Sequence, residues 1–209
     1  MLSILISMLS SEEISALKRQ ALSAPIDDIR IYVAVQALAN AGVREEVIEI
    51  IKIRIKEALR CDNNSNSTTF LLGSTLTSMG FLDFEYYADI WSSEGLPGIK
   101  WVVIQLAYSP HGKEAIDFII SRYDSADLDA KICIIRALQQ NRQVDSGVFI
   151  AEAILKLPKG PRFSALHHFS RGPRISKDAV CILRGCKAND LSSEEIELVS
   201  SLRVRGINS

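Results

Sequence analysis

The stretch Asp28-Ile29-Arg30-Ile31-Tyr32-Val33-Ala34-Val35-Gln36-Ala37-Leu38-Ala39-Asn40-Ala41-Gly42 decides the fold of this chain. It begins with an acidic residue and carries apolar residues at helical spacing for about three turns. It ends at a glycine, the residue that most readily adopts the left-handed conformation that terminates a helix. The stretch therefore predicts one buried helix with both ends marked.

The Ala-Leu ending of this stretch recurs in weaker copies along the whole chain, some of them closed by a glycine such as Gly80 or Gly206. The leucines of the six copies are Leu38, Leu76, Leu106, Leu138, Leu166 and Leu202, at spacings of 38, 30, 32, 28 and 36 residues. A loose period of about 33 residues is typical of helical repeat proteins.

Apolar periodicity and turn signals divide the chain into twelve predicted helices in about six hairpins. The hairpins span residues 10–42, 43–80, 82–109, 111–142, 145–170 and 174–206. Each is too small to bury its own apolar face, so we expect them to stack around one continuous core. The predicted fold class is all-α, with residues 1–209 forming a single domain.

Some helix ends are predicted in more detail. Ser-Ser-Glu-Glu at residues 10–13 and again at 192–195 has the pattern of a capping box, which marks a helix start. The sixth helix is expected at residues 99–108 after a Gly/Pro turn, the tenth is expected to be short, at 161–169, and the last is expected at 196–204.

Composition and charge exclude several classes of protein. The chain is 47% apolar and 23% charged, which indicates a helix-rich globular protein. Its net charge of −1 argues against a general binder of nucleic acid or membrane surfaces. No segment after the N-terminus has the ~20 uninterrupted apolar residues of a membrane span.

The apolar residues 1–9 have no positively charged segment before them and run directly into the first helix start. We interpret them as an extension that packs against the first helix. The cysteines, Cys61, Cys133, Cys181 and Cys186, have no CxxC spacing, and three lie in apolar helical runs. We expect these three cysteines to be small buried side chains. Unpaired cysteines are typical of a reducing compartment, so we also expect a cytoplasmic location.

The best copies of the motif resemble a HEAT-like (armadillo-type) α-helical repeat. Asp28 to Gly42, followed by Val43-Arg44-Glu45-Glu46-Val47-Ile48, is similar to the second helix of one repeat and the start of the next, and Asp129 to Leu138 is a further copy. The resemblance implies a right-handed α-α superhelix whose second helices line the concave side. Members of that family commonly hold a partner there.

Positions around each repeat leucine form a polar or amphipathic stripe within otherwise apolar second helices, because residues four apart share a helix face. The predicted partner-binding residues on this stripe are Tyr32, Gln36, Asn40, Phe70, Ser74, Ser78, Lys100, Tyr108, Arg136, Gln140 and His168. A merely solvated stripe would have the same pattern.

Charge is uneven along the chain. Residues 62–99 contain five acidic residues and no lysine or arginine, whereas residues 156–187 carry a net charge of +7. The acidic section also contains Tyr and Trp, which are enriched at interfaces although many are core residues. Its Glu85 and Asp89 complete the predicted partner-binding set, and complementary charge would give fast, salt-sensitive association.

Motifs of known chemistry are missing from the sequence. It has no Gly-rich phosphate loop, nucleophile elbow or Cys/His metal spacing. His167 and His168 are adjacent and therefore point to different helix faces. We predict no catalytic residue, no metal and no cofactor.

The sequence thus favours a non-catalytic protein that holds or occludes one partner protein. One instance is an immunity protein that neutralises a cognate toxin, with the acidic, aromatic section meeting a basic toxin domain. The alternative is a nucleic-acid-binding or DNA-repair HEAT-like protein. It would use Arg162, His167, His168, Arg171 and Arg174, with Trp101 or Tyr108 stacking on a base. A HEAT-like lyase is a third class, to which no residue points.

Overall fold

The computed structural model describes residues 9–61, 67–109, 112–141, 144–173, 175–186 and 190–205. These residues form twelve α-helices and no β-strand, and they contain one isolated antiparallel bridge, between Ile175 and Arg205. The all-α prediction is confirmed. The expected packing of the apolar N-terminus falls mainly on residues 1–8, which lie outside the described residues.

The helices are α1 (Ser11–Ser23), α2 (Ile29–Asn40), α3 (Arg44–Arg60), α4 (Ser67–Ser78), α5 (Phe84–Ser93), α6 (Gly95–Ala107), α7 (Gly112–Ser121), α8 (Leu128–Gln140), α9 (Gly147–Leu155), α10 (Lys159–Arg171), α11 (Lys177–Arg184) and α12 (Ser193–Ser201).

The stop signal at the end of α2 works as the sequence predicts. Gly42 has a φ of 80°, and the following Val43 N–H donates to the Leu38 carbonyl at 3.2 Å. This arrangement satisfies carbonyls that the last helical turn would otherwise leave without donors. Gly80, with a φ of 73°, ends α4 in the same way.

Both predicted capping boxes are present. The Ser10 hydroxyl accepts from the Glu13 N–H at 3.2 Å, and the Glu13 carboxylate accepts from the Ser10 N–H at 2.7 Å. Ser192 and Glu195 make the same reciprocal pair, with distances of 3.3 and 2.7 Å. α1 and α12 therefore begin directly after the serines of the two capping boxes, and α12 starts at Ser193, three residues before the predicted Ile196.

Two helices begin earlier than predicted because proline lies inside their first turn. α6 starts at Gly95 rather than Ile99, with Pro97 at its third position, and α10 starts at Lys159, with Pro161 at its third position. The first N–H groups of a helix have no intrahelical acceptor, so proline removes no hydrogen bond there. The expectation of a short tenth helix was wrong, since α10 has 13 residues.

The last helix ends earlier than predicted. α12 stops at Ser201, and the backbone then extends so that Arg205 and Ile175 exchange N–H to carbonyl hydrogen bonds, each of 3.1 Å. The prediction that this helix continues to Val204 was wrong. The apolar spacing continues past Ser201, but the pairing with Ile175 satisfies the same backbone groups in an extended conformation.

The chain divides into two compact units, Met1–Trp101 and Val102–Ser209. In the first unit α2 packs against α1, α3 and α4, and α1 packs against α3. In the second unit α8 packs against α7, α9 and α10, α10 also packs against α12, and α9 packs against α11. Alternate helices therefore adjoin each other at α1 and α3, α2 and α4, α8 and α10, α9 and α11, and α10 and α12. A single domain over residues 1–209 stays a prediction.

The repeat leucines form the core of these layers. Leu38, Leu76, Leu106, Leu138, Leu166 and Leu202 are each at most 2% exposed. Large apolar side chains such as Tyr87 in the first unit and Phe169 in the second are buried around them. Six sequence positions chosen by periodicity alone are therefore all core positions.

The cysteines depart from the sequence prediction. Cys61 and Cys181 are exposed, and Cys133 and Cys186 are half-buried. Cys181 lies on the outer side of α11, whose inner side carries the buried Ala179, Val180 and Leu183. For the three cysteines in apolar runs, the expectation of a small buried side chain was wrong for Cys181 and is met only in part by Cys133 and Cys186. An apolar run does not show which side of the helix each member occupies.

An ion pair joins α10 to α12. The Arg162 guanidinium donates to both carboxylate oxygens of Glu195, at 2.9 and 3.2 Å, and also to the Asp190 carbonyl at 2.8 Å. Glu195 is fully buried. Burial alone would raise its pKa, but the hydrogen bonds from Arg162 and from the Ser192 N–H outweigh burial, so the pKa of Glu195 lies below its usual value.

Replacing Glu195 by Gln should destabilise the fold strongly because Arg162 is then left nearly buried without an opposite charge. We expect a loss of about 3–5 kcal/mol, measured by urea denaturation followed by far-UV circular dichroism. The matched control is Asp117→Asn, which removes an exposed pair with Lys113 and should lose only about 0.3–0.5 kcal/mol. Equal small losses would contradict the structural role of the buried pair.

The same pair predicts how stability depends on pH. Because the folded-state pKa of Glu195 is lowered, its contribution is present above the unfolded pKa of about 4.3 and is lost as pH falls through the folded pKa. The stability difference between wild type and Glu195→Gln should therefore be constant near neutral pH and shrink below about pH 4.3. A difference that does not change with pH would show that the pKa of Glu195 is the same in the folded and unfolded states.

Candidate functional site

The two helix layers of the first unit differ sharply in charge. α4 contains no charged residue, and Arg30 is the one charged residue of α2. In contrast, α3 alone carries Arg44, Glu45, Glu46, Glu49, Lys52, Arg54, Lys56, Glu57 and Arg60. Since α2 and α4 adjoin each other, together they present a continuous surface almost free of charge.

The exposed residues of this surface are large and apolar or small and polar. Val33 is 57% exposed, Ile29 is 52% exposed and Phe70 is 38% exposed. We define the neutral face as Ile29, Tyr32, Val33, Gln36 and Asn40 of α2 with Phe70, Ser74 and Ser78 of α4, all exposed or half-buried. Arg30, beside it, is held by the Asp28 carboxylate through an Nε hydrogen bond of 2.6 Å.

A hydrogen bond fixes the two helices of the neutral face against each other. The Gln36 amide donates to the Thr75 hydroxyl at 2.6 Å, and that hydroxyl in turn donates to the Leu71 carbonyl at 3.0 Å. Thr75 is buried whereas Gln36 is half-buried. The predicted binding residue Gln36 is therefore also a structural one, and the neutral face is preorganised.

Depletion of charge together with exposed apolar side chains is the composition of a protein interface core rather than of ordinary surface. Sequence reasoning found Tyr32, Gln36, Asn40 and Phe70 but missed Ile29 and Val33. Both had the spacing of core residues. The contrast in charge between α2 and α3 was the available signal for the whole face.

The acidic section is partly neutralised by basic residues of α3. Asp89 pairs with Lys56, and Glu94, whose side chain is 4% exposed, pairs with Arg60 at 2.9 Å. Glu85 is exposed. Charges that look unopposed along the chain are thus partly neutralised by basic residues of the neighbouring α3.

The aromatic residues of that section lie mostly in the core. Tyr86 is 5% exposed, Tyr87 is fully buried, and Trp91 and Trp101 are 7% and 3% exposed. The Tyr87 and Trp101 rings stack with their centroids 6.0 Å apart. The suggestion that Trp101 stacks on a nucleic-acid base was therefore wrong, because its ring is already covered.

The other predicted contact residues lie on further even-numbered helices. Lys100 on α6, Arg136 and Gln140 on α8 and His168 on α10 are exposed, and Tyr108, just after α6, is 60% exposed. Exposure leaves these positions available to a partner. Their role in binding stays a prediction.

The basic residues proposed to bind nucleic acid lie in different environments. Arg162 is engaged by Glu195 and is not a free cation. His167 is half-buried and stacks on Phe163, with ring centroids 6.4 Å apart, while Arg171 is exposed. Arg174 lies outside the described residues. A sequence count of basic residues therefore overstates the positive surface.

A cavity of about 450 Å³ lies between α11 and α12. Its lining residues are Leu183, Arg184, Cys186, Leu191, Ile196, Val199 and Ser200. Burial raises the pKa of the Cys186 thiol, Asp190 raises it further and Arg162 opposes them, so the thiolate that would act as a nucleophile is disfavoured. Arg184 donates to the Ser200 and Leu202 carbonyls at 3.1 and 2.7 Å, which caps the end of α12.

Within the described residues, no group of three or more His, Cys, Asp or Glu side chains is arranged to hold a metal ion. The same part of the chain has no helix both long and apolar enough to cross a bilayer. No family model, curated protein or solved structure matches this chain. Its function must therefore be argued from the surfaces described above.

Burial of both tryptophans predicts weak access to quenchers. Trp91 and Trp101 are the two tryptophans of the sequence, and both are almost fully buried. Iodide should quench the fluorescence of the native protein several-fold less than that of N-acetyltryptophanamide, and unfolding in urea should remove the difference. Quenching as efficient as that of the free indole would place at least one of these rings on the surface.

Proposed function

We propose that this chain is a non-catalytic, HEAT-like α-solenoid that holds or occludes one partner protein through its neutral face. The proposal includes a right-handed superhelix of about six hairpins, in which the even-numbered helices line the binding side. The observation that carries it is the partly apolar surface of α2 and α4, almost free of charge, beside a highly charged α3.

The repeat architecture is supported by the packing within each unit. Even-numbered helices adjoin even-numbered ones and odd adjoin odd, and the six repeat leucines are all buried. In stacked helical hairpins each unit buries its apolar side against its neighbours, which leaves one layer free to carry a binding surface. The neutral face belongs to such a layer.

The chemistry of the neutral face indicates what the partner presents. Burying an unpaired charge against Val33 and Phe70 would be costly, so the contacting surface of the partner should be apolar or uncharged at its centre. Acidic residues should contribute less than the neutral face to association with the partner and to its salt dependence, because Asp89 and Glu94 already form ion pairs within the chain.

Within this proposal, the chain is an immunity protein that acts in the cytoplasm and neutralises a cognate toxin by covering it. A basic toxin domain would meet the neutral face through an apolar patch rather than through its cations. No cofactor is required, because occlusion needs only a stable complex.

The test is a charge placed on the neutral face. Val33→Lys should weaken the partner complex at least about tenfold, because an unpaired ammonium would be buried at the interface. The matched control is Ile53→Lys on α3, where Ile53 is similarly exposed at 46%. Affinity-tagged wild type and both variants would be used to capture proteins from cells of the source organism, with quantitative mass spectrometry as the readout.

For the immunity role, the protein encoded beside this chain would be expressed in a heterologous host with and without each variant. Wild type and Ile53→Lys should suppress its toxicity, whereas Val33→Lys should not. Equal capture and equal protection by all three forms would contradict binding through the neutral face. A non-toxic neighbour would contradict the immunity role while leaving partner binding intact.

A further inference from the structure

Among the helices of the second unit, α10 is the one whose charged residues are all basic. Its charged residues Lys159, Arg162 and Arg171 are all basic, it adds His167 and His168, and it contains no acidic residue. Arg162 is committed to Glu195. Lys159, His168 and Arg171 are exposed and remain available to an outside anion.

The neighbouring helix extends this surface. α8 packs against α10, and the Gln139 amide donates to the Ala165 carbonyl at 3.3 Å across their contact. Arg136, on the exposed side of α8, adds another cation. We define the basic strip as Arg136, Lys159, Phe163, His167, His168 and Arg171.

An aromatic pair lies within these cations. Phe163 is 40% exposed, and its ring stacks on that of His167 with an interplanar angle of 25°. In the same unit Tyr123 and Phe169 are covered, at 3% and 1% exposed, whereas Tyr108, just after α6, is 60% exposed.

We propose that the basic strip binds single-stranded nucleic acid, with phosphates contacting the cations and a base stacking on Phe163. Proteins that bind single strands without sequence preference combine a positive track with aromatic platforms, and each stacked base contributes substantially to affinity. The His167 ring behind Phe163 holds the phenyl ring in a fixed plane, which reduces the entropy lost when a base stacks on it.

The acidic α12 sets one border of the site. It adjoins α10 and exposes Glu194 and Glu197, which would repel a phosphate backbone. The strand should therefore follow α10 and α8 rather than cross to α12. A segment of Asp and Glu would match the cations equally well, but its side chains have no aromatic ring to stack on Phe163.

This proposal is independent of the neutral face, which lies in the other unit. The net charge of −1 for the whole chain means that binding should be local and sensitive to salt. With Arg136, Lys159 and Arg171 as the permanent cations, log K should fall with log salt with a slope of about −2.

The experiment is fluorescence anisotropy of the full chain with labelled oligo(dT), with oligo(rU) and with an abasic oligonucleotide of the same length. Phe163→Ala should weaken oligo(dT) binding roughly tenfold and leave binding of the abasic strand unchanged, whereas Phe163→Trp should retain binding of oligo(dT). Val148→Ala is the matched control, since Val148 of α9 is 42% exposed. This variant should not change the binding of either strand.

A charge variant tests the other half of the site. The double variant Lys159→Gln, Arg171→Gln should bind both oligo(dT) and the abasic strand more weakly. The slope of log K against log salt should become shallower by about 1.4. Lys113→Gln with Lys177→Gln makes the same change in net charge elsewhere and should leave the salt slope nearly unchanged. Circular dichroism would verify that each variant is folded. Tighter binding of either oligo(dT) or oligo(rU) supports the proposal and identifies the sugar preferred.

Three results would overturn the inference. The first is no binding of the wild type to any oligonucleotide at low salt. The second is an equal loss of affinity for the abasic strand and for oligo(dT) in Phe163→Ala, which would exclude stacking. The third is competition by a polyglutamate peptide of matched charge as effective as that by oligo(dT), with no dependence on Phe163, which would make the strip a site for acidic protein segments.

Discussion

The fold depends on burying one apolar side of each short helix, which no single hairpin can do alone. The helices are between 8 and 17 residues long, so their stability comes from packing rather than from intrinsic helicity. The repeat leucines supply the buried contacts within each layer and between layers. Every other feature of the chain, including which surfaces remain free, follows from how neighbouring hairpins share this core.

Polar contacts between hairpins repeat with the same spacing as the leucines. Hydrogen bonds from Lys18 to Glu46, Lys56 to Asp89, Arg60 to Glu94 and Arg162 to Glu195 connect residues 28, 33, 34 and 33 positions apart. Each therefore joins a helix to its equivalent in the next hairpin. Most of these pairs are exposed and contribute little to stability. The pair of Arg162 with the buried Glu195 matters more, because removing either partner would leave the other without an opposite charge between α10 and α12.

In the first unit this pairing takes place within the odd-numbered layer, where α1, α3 and α5 neutralise one another. The even-numbered layer is held instead by apolar contacts and by the hydrogen bond from the Gln36 side-chain amide to the Thr75 hydroxyl. As a result α2 and α4 pack together without ion pairs, and their exposed side can be apolar. In the second unit one arginine is internalised, while the remaining cations of α10 face outward beside an exposed ring.

The sequence by itself determined the twelve helices, most of their ends and the core leucines, because periodicity, capping residues and terminating glycines act within a few residues. It failed where local signals were ambiguous, as with proline inside a first turn or cysteine in an apolar run. Only the tertiary structure decided which charges are paired and which aromatic rings are covered. Those outcomes depend on residues about one repeat away, whose side-chain directions are set when the helices pack, so Arg162, Trp101 and Val33 could not be assigned from spacing alone.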